Sequence, residues 1–262
     1  MIKTYIKRDQ YLSRIEPFFN KEVIKVVTGQ RRVGKSYLLF QIMDMAKRLG
    51  PKDGRIIYIN KELHEFAAIN DHRALLEYIA AKSVGAKKSF VFIDEIQEIS
   101  QFEKALRSLQ AGGGYDIYCT GSNAELLSGE LAGRLSGRYM EIKVFGLSYP
   151  EFLRFHKLEE SGDSFLKYVR YGGLPYLVNL KLEDDIVYEY LRTIYETILL
   201  KDIVARYGVR NVNFLERLAE FLADNTGSLV SAKRISDFLK SQKTNISPNI
   251  VLNYLSSLAS AF

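Results

Sequence analysis

The sequence is poor in the residues that carry metal and thiol chemistry. It has one cysteine and three histidines in 262 residues. A single cysteine excludes an internal disulfide framework and fits a reducing, cytoplasmic setting. Cys119 falls in an apolar strand pattern and reads as a core thiol rather than a nucleophile. His64, His72 and His156 are scattered without metal-ligand spacing. No apolar run approaches the roughly 20 residues of a membrane-spanning helix. The first residues, Met1 to Arg8, carry no apolar signal-peptide core, so no membrane partner is expected. Internal repeats and low-complexity tracts are also missing.

What is present begins with Gly29-Gln30-Arg31-Arg32-Val33-Gly34-Lys35-Ser36. The spacing fits the phosphate-binding pattern G-x-x-x-x-G-K-[ST]. The β-branched run Val23–Thr28 before it predicts a buried strand, and Tyr37–Met43 after it predicts a helix. Glycines let consecutive N–H groups curl inward, and a helix N-terminus adds positive potential. Lys35 then reaches the β- and γ-phosphates, and Ser36 offers a hydroxyl to Mg²⁺. The expected nucleotide contacts are Gly29, Gln30, Arg31, Arg32, Val33, Gly34, Lys35, Ser36 and Tyr37. The net charge of +6 is modest. Lys3, Lys7, Arg8, Arg14, Lys21, Lys25, Arg31 and Arg32 gather near the start, where part of the excess serves a polyphosphate rather than nucleic acid.

Phe90-Val91-Phe92-Ile93-Asp94-Glu95 is a buried-strand pattern with two carboxylates at its C-terminal tip. Ligands bind at that edge of open α/β sheets. Asp94 is the expected Mg²⁺ partner and Glu95 the base that orients the attacking water. Thr120-Gly121-Ser122-Asn123 ends the next strand, where Ser122 or Asn123 can sense the γ-phosphate. Either residue equally fits a helix N-cap before Ala124. Arg134 and Arg138 flank Leu135-Ser136-Gly137 just before the fifth strand, and one of them can neutralise transition-state charge in a neighbouring subunit. Arg138 is the favoured one because it abuts the strand.

Strand patterns at Val23–Thr28, Arg55–Asn60, Ser89–Asp94, Tyr115–Thr120 and Tyr139–Phe145 alternate with helical patterns at Ser36–Leu49, His72–Val84, Gln101–Leu109 and Ala124–Ser128. That alternation predicts an α/β class with a parallel sheet and helices on both faces. After Leu147-Ser148-Tyr149-Pro150 helical periodicity takes over, at Tyr149–His156, Ser164–Tyr171, Asp184–Arg206 and Asn213–Asp224. Ser231–Leu239, a polar turn, and a helix from Ser247-Pro248 onward read as helix-turn-helix. The second of these helices is expected to bury Ile250, Val251, Tyr254, Leu255 and Leu258. The pattern stops within an apolar stretch and has no wing strands, so the sequence is expected to be cut short of a larger protein.

These motifs resemble the AAA+ superfamily, and more narrowly the bacterial and archaeal ATPases related to the STAND signalling ATPases. The residues carrying the resemblance are Gly29–Ser36, Phe90–Gln97, Thr120–Asn123, Leu131–Arg138 and Val144–Phe152. The resemblance implies a P-loop NTPase core over 1–147, a helical lid and connector over 148–210, and an incomplete winged-helix segment over 211–262. It also implies that Pro175, in Gly172-Gly173-Leu174-Pro175, approaches the adenine, and that Arg8 lies beside the base. A nuclease-like domain commonly follows in that family. The helix-turn-helix offers Asn249, Asn253, Ser256 and Ser257 but no lysine or arginine on its second helix, so anchoring of DNA phosphates falls to Lys233, Arg234, Lys240 and Lys243, and the expected partner is DNA or protein.

The function expected from these readings is Mg²⁺-dependent hydrolysis of ATP to ADP and phosphate, used as a switch or motor, with a homo-oligomer supplying an arginine in trans. The alternative is a nucleotide-dependent binding module with negligible turnover. A GTPase needs Asn-Lys-x-Asp after a later strand. The sole approach to it, Asn60-Lys61-Glu62-Leu63, lacks the aspartate and comes too early.

Overall fold

The computed structural model describes residues 5–121, 135, 137–205, 208–209, 211–241 and 246–261. It divides into two compact units, Met1–Val187 and Tyr188–Phe262. In the first unit five strands form one sheet: β1 (Ile24–Thr28), β2 (Arg55–Asn60), β3 (Ser89–Asp94), β4 (Tyr115–Thr120) and β5 (Tyr139–Lys143). Their order is β2-β3-β4-β1-β5, and every pairing is parallel. β2, β3 and β4 have the predicted bounds, whereas β5 ends two residues early, at Lys143.

Side-chain alternation explains why the sheet is covered on both sides. Val91 and Ile93 of β3 pack with Leu75 and Ile79 of α3 (His72–Ser83) and with Leu106 of α4 (Phe102–Gly112). Phe90 and Phe92 point the other way, into a core with Tyr11 and Ile15 of α1 (Asp9–Ile15) and Leu38 and Ile42 of α2 (Lys35–Leu49). Phe92 stacks on Tyr118 of β4 at 4.9 Å. Each such fully buried side chain contributes about 1.5–3 kcal/mol. Cys119 is fully buried in the first of these cores, and burial pushes its thiol up to about 12, as a core thiol requires.

The strand order has one consequence for the site. β4 runs between β1 and β3, so Thr120 at its tip stands between the glycine loop and the Asp94-Glu95 pair.

Past β5 the first unit is helical. Ser148 and Glu151 form a reciprocal capping box at the start of α5 (Tyr149–His156), and Pro150 fits its first turn. Ser161 caps α6 (Gly162–Tyr171), and α7 (Asp184–Thr197) starts in the first unit and continues past Val187 into the second. The second unit contains a π-helical stretch (Ile198–Ala205), α8 (Val212–Asp224), α9 (Ala232–Ser241) and α10 (Pro248–Ala261). The single helix predicted over Asp184–Arg206 therefore changes character at Ile198. Phe214, Leu218, Ile235, Leu239 and Val251 are buried. Ile250, predicted to be buried, is 43% exposed because Val251 and Leu258 take the inward positions of α10. Among the described residues no strand follows β5.

Candidate nucleotide-binding site

The loop after β1 curls through three residues with positive φ: Gly29 (141°), Arg32 (69°) and Gly34 (96°). Glycine is required at position 29. A Cβ there would lie 2.2 Å from the carbonyl oxygen of Val144. Gly34 serves as N-cap of α2 without a side-chain cap, so the first-turn N–H groups face the loop. Lys35 is buried, and its ammonium donates to the carbonyls of Gly29 at 2.9 Å and Gln30 at 3.0 Å. The cation therefore lies across the mouth of the loop.

Asp94, at the tip of β3, is 1% exposed. Its carboxylate accepts from the hydroxyls of Thr120 and Tyr58, the latter at 3.3 Å, and the Ser36 hydroxyl lies near enough to act on its titration. Burial pushes the Asp94 carboxyl above the ordinary carboxylate range. The hydroxyls of Thr120 and Ser36 oppose that rise, and the neighbouring Glu95 charge adds to it. The glycine-loop serine and the strand-tip aspartate, predicted separately as metal partners, thus meet in the fold. The donor set is one carboxylate and one hydroxyl, both hard oxygens, which suits Mg²⁺ bound mainly through phosphate and water. Among the described residues no cluster of three or more His, Cys, Asp or Glu side chains offers a protein-only metal cage.

Glu95 follows in the left-handed region, at φ 56°. Its backbone N–H donates to the Thr120 hydroxyl at 3.0 Å, and its carboxylate accepts from the Gln97 amide. Thr120, fully buried, therefore ties Asp94 to Glu95. Sequence reasoning did not single out Thr120 or Tyr58. The available signal was positional: a hydroxyl at the tip of the strand between the two motifs, and one on β2 in register two residues before Asn60, which pairs with Asp94.

Pro175 approaches the loop, since its ring lies 3.9 Å from where a Cβ on Gly34 would stand. The turn before it is bound tightly. Leu147 donates to the Gly173 carbonyl at 2.6 Å, and a Cβ on Gly173 would lie 2.4 Å from the Leu147 oxygen. Tyr37 is half-exposed on the first turn of α2, with its ring edge-on to Phe40 at 5.9 Å. Arg8 has another setting from the one its predicted place beside a base suggests. It is buried, and its guanidinium donates to Glu151, Val33, Phe145 and Gly146.

Arg138 is exposed at the entrance of β5, where its carbonyl accepts from Ile24 N–H. That is the sheet edge opposite the glycine loop, so Arg138 lies outside the site of its own chain. Ser122, Asn123 and Arg134 lie outside the described residues.

Residues 21–153, about half of the chain, match the family described as AAA domain. The chain belongs to the AAA domain family. Membership points to nucleotide binding and hydrolysis. Residues 162–262 of this AAA protein match a domain of unknown function, DUF8612. An uncharacterized protein of Haemophilus influenzae is 37% identical over the whole chain, which spans 66% of that relative. An uncharacterized protein of Methanocaldococcus jannaschii is 33% identical over 91% of the chain and 55% of its own length. The chain thus spans less than two thirds of either relative. The DNA-bound ORC1 structure of Aeropyrum pernix covers 98% of this chain and 84% of its own at 14% identity and a TM-score of 0.44. At that level of likeness the α/β assignment rests on the sheet itself. No helix among the described residues is long and apolar enough to cross a membrane.

Proposed function

We propose that this AAA protein binds ATP with Mg²⁺ and hydrolyses it to ADP and phosphate, using the cycle as a conformational switch or motor. The observation that carries the reading is the joining of Asp94 and Glu95 through the Thr120 hydroxyl, with the Ser36 hydroxyl beside Asp94. The inward N–H groups of Gly29–Ser36 cradle the phosphates, and Lys35 pairs with their oxygens in place of its present carbonyl partners. Ser36 and Asp94 hold Mg²⁺, which when bound neutralises charge on the phosphate oxygens. Glu95 orients the attacking water and takes its proton. Tyr37 and Pro175 flank the base end.

In this proposal residues 148–210 act as lid and connector and 211–262 as an incomplete winged-helix segment with DNA or protein as its partner. The STAND relationship, the cytoplasmic location and a following nuclease-like domain belong to the same proposal. A neighbouring copy supplies Arg138 or Arg134 in trans, with Ser122 or Asn123 sensing the γ-phosphate. The position of Arg138 at the far sheet edge also supports a second reading, in which the isolated chain binds nucleotide with negligible turnover.

Phosphate release from ATP, measured with Mg²⁺ and again with EDTA, tests the proposal. The expected result is turnover that EDTA abolishes and that rises more steeply than protein concentration. Nucleotide binding without turnover at any concentration would favour the second reading. No binding at all would end both.

A further inference from the structure

Arg8 carries a planar fork of five N–H donors and is 3% exposed. All five donors are engaged. Nε and one terminal nitrogen meet the two Glu151 oxygens at 2.9 and 2.8 Å. The remaining donors reach the carbonyls of Val33 at 3.3 Å, Phe145 at 2.9 Å and Gly146 at 3.2 Å. Tyr11, whose ring lies 4.6 Å from the guanidinium, accepts the Phe145 N–H at 3.0 Å. Two stretches far apart in sequence therefore meet on one side chain: the glycine-loop crest, and the turn after β5 with the first turn of α5 that follows it.

Glu151 is fixed from its other side by the Ser148 N–H at 3.0 Å and hydroxyl at 3.1 Å. The same turn is held at its far end, where the Tyr168 hydroxyl donates to the Leu147 carbonyl at 2.9 Å. A lysine at position 8 is a point charge on a flexible stem and cannot span five acceptors in this fork. Glutamine at position 151 keeps the shape but loses the charge that makes the bidentate pair strong.

We propose that Arg8 and Glu151 form a positioning clamp that sets the Val33 crest of the glycine loop against the Phe145–Leu147 turn, so that nucleotide affinity depends on an ion pair outside the phosphate cradle. The affinity part rests on the function proposed above. The effect on the loop does not.

Amide hydrogen exchange of the nucleotide-free chain tests the clamp in Arg8→Lys and Glu151→Gln. Exchange across residues 29–36 and 144–148 is expected to rise about tenfold, the scale of one lost buried hydrogen bond, with β2 and β3 at parental rates. The affinity of a fluorescent ATP analogue falls about tenfold while kcat at saturation holds within about twofold. Parental exchange across 29–36, or a rise spread evenly through β2 and β3, would overturn the clamp. If Arg8→Lys fails to fold, Glu151→Gln decides by the same exchange readout. A parent chain that binds no nucleotide would remove the function proposed above and leave the exchange result to decide the clamp.

Discussion

The Thr120 hydroxyl donates to the Asp94 carboxylate while it accepts the Glu95 backbone N–H at 3.0 Å. One hydroxyl therefore serves both acids. Valine in its place keeps the shape but leaves a buried carboxylate oxygen and a backbone N–H without this partner. Thr120→Val is expected to cost about 1–3 kcal/mol of stability, and more than tenfold in turnover because Glu95 loses its backbone anchor. Chemical denaturation and phosphate-release kinetics read the two effects separately.

Gly29 and Gly112 give a contrast. A Cβ on Gly29 meets the Val144 oxygen at 2.2 Å and the residue has a φ of 141°, whereas a Cβ on Gly112 meets nothing within 4 Å. Gly29→Ala is expected to abolish nucleotide binding and lower the thermal midpoint. Gly112→Ala, at the end of α4, is expected to leave both unchanged or to stabilise slightly. Thermal unfolding with and without ATP compares them.

Lys25 and Asp116 form an ion pair with both side chains fully buried near the N-terminal ends of β1 and β4. Asp116 also accepts from Asn20 N–H and the Tyr118 hydroxyl. Burial pushes the Lys25 ammonium below its ordinary value, against the pull of Asp116. Asp116→Asn strands that cation and is expected to cost about 3–5 kcal/mol. The pair lies at the sheet edge away from the glycine loop, so nucleotide affinity measured where the variant remains folded should match the parent.

The Glu151 carboxyl gives an acid-side signature. Burial raises it, but the hydrogen bonds from Arg8 and the Ser148 backbone, with the Arg8 charge, outweigh that and hold it below 4.5. A depressed folded value means that its stabilisation is fully present above about pH 4.5 and is lost as pH falls through that lower value. The stability gap between parent and Glu151→Gln should therefore narrow on acidification. Denaturation midpoints for both proteins across that range measure it, and a constant gap would contradict the assignment.

Much of this was legible in the residues themselves. Largely apolar runs placed β3 and β4 at their observed bounds, since both strands are buried along nearly their whole length, and the edge strand β2 showed through the run Ile56–Ile59. Ser36 and Asp94 could be paired from motif chemistry alone. Helix α1 was not read in advance, since only Tyr11 and Ile15 among its residues are buried. Thr120 and Tyr58 were not singled out because a hydroxyl at a strand tip carries no periodic signal. Its meaning depends on the strand order, which puts β4 between β1 and β3. The setting of Arg8 was out of reach for a similar reason, because its partners lie at positions 33, 145, 146 and 151.

The most direct measurement titrates Mg²⁺–ATP into the parent, Glu95→Gln and Lys35→Ala, reading binding and phosphate release on the same samples. The account predicts that Glu95→Gln binds as the parent does and turns over at least about a hundredfold more slowly, while Lys35→Ala loses both. Equal turnover by Glu95→Gln and the parent, or undiminished binding by Lys35→Ala, would contradict it.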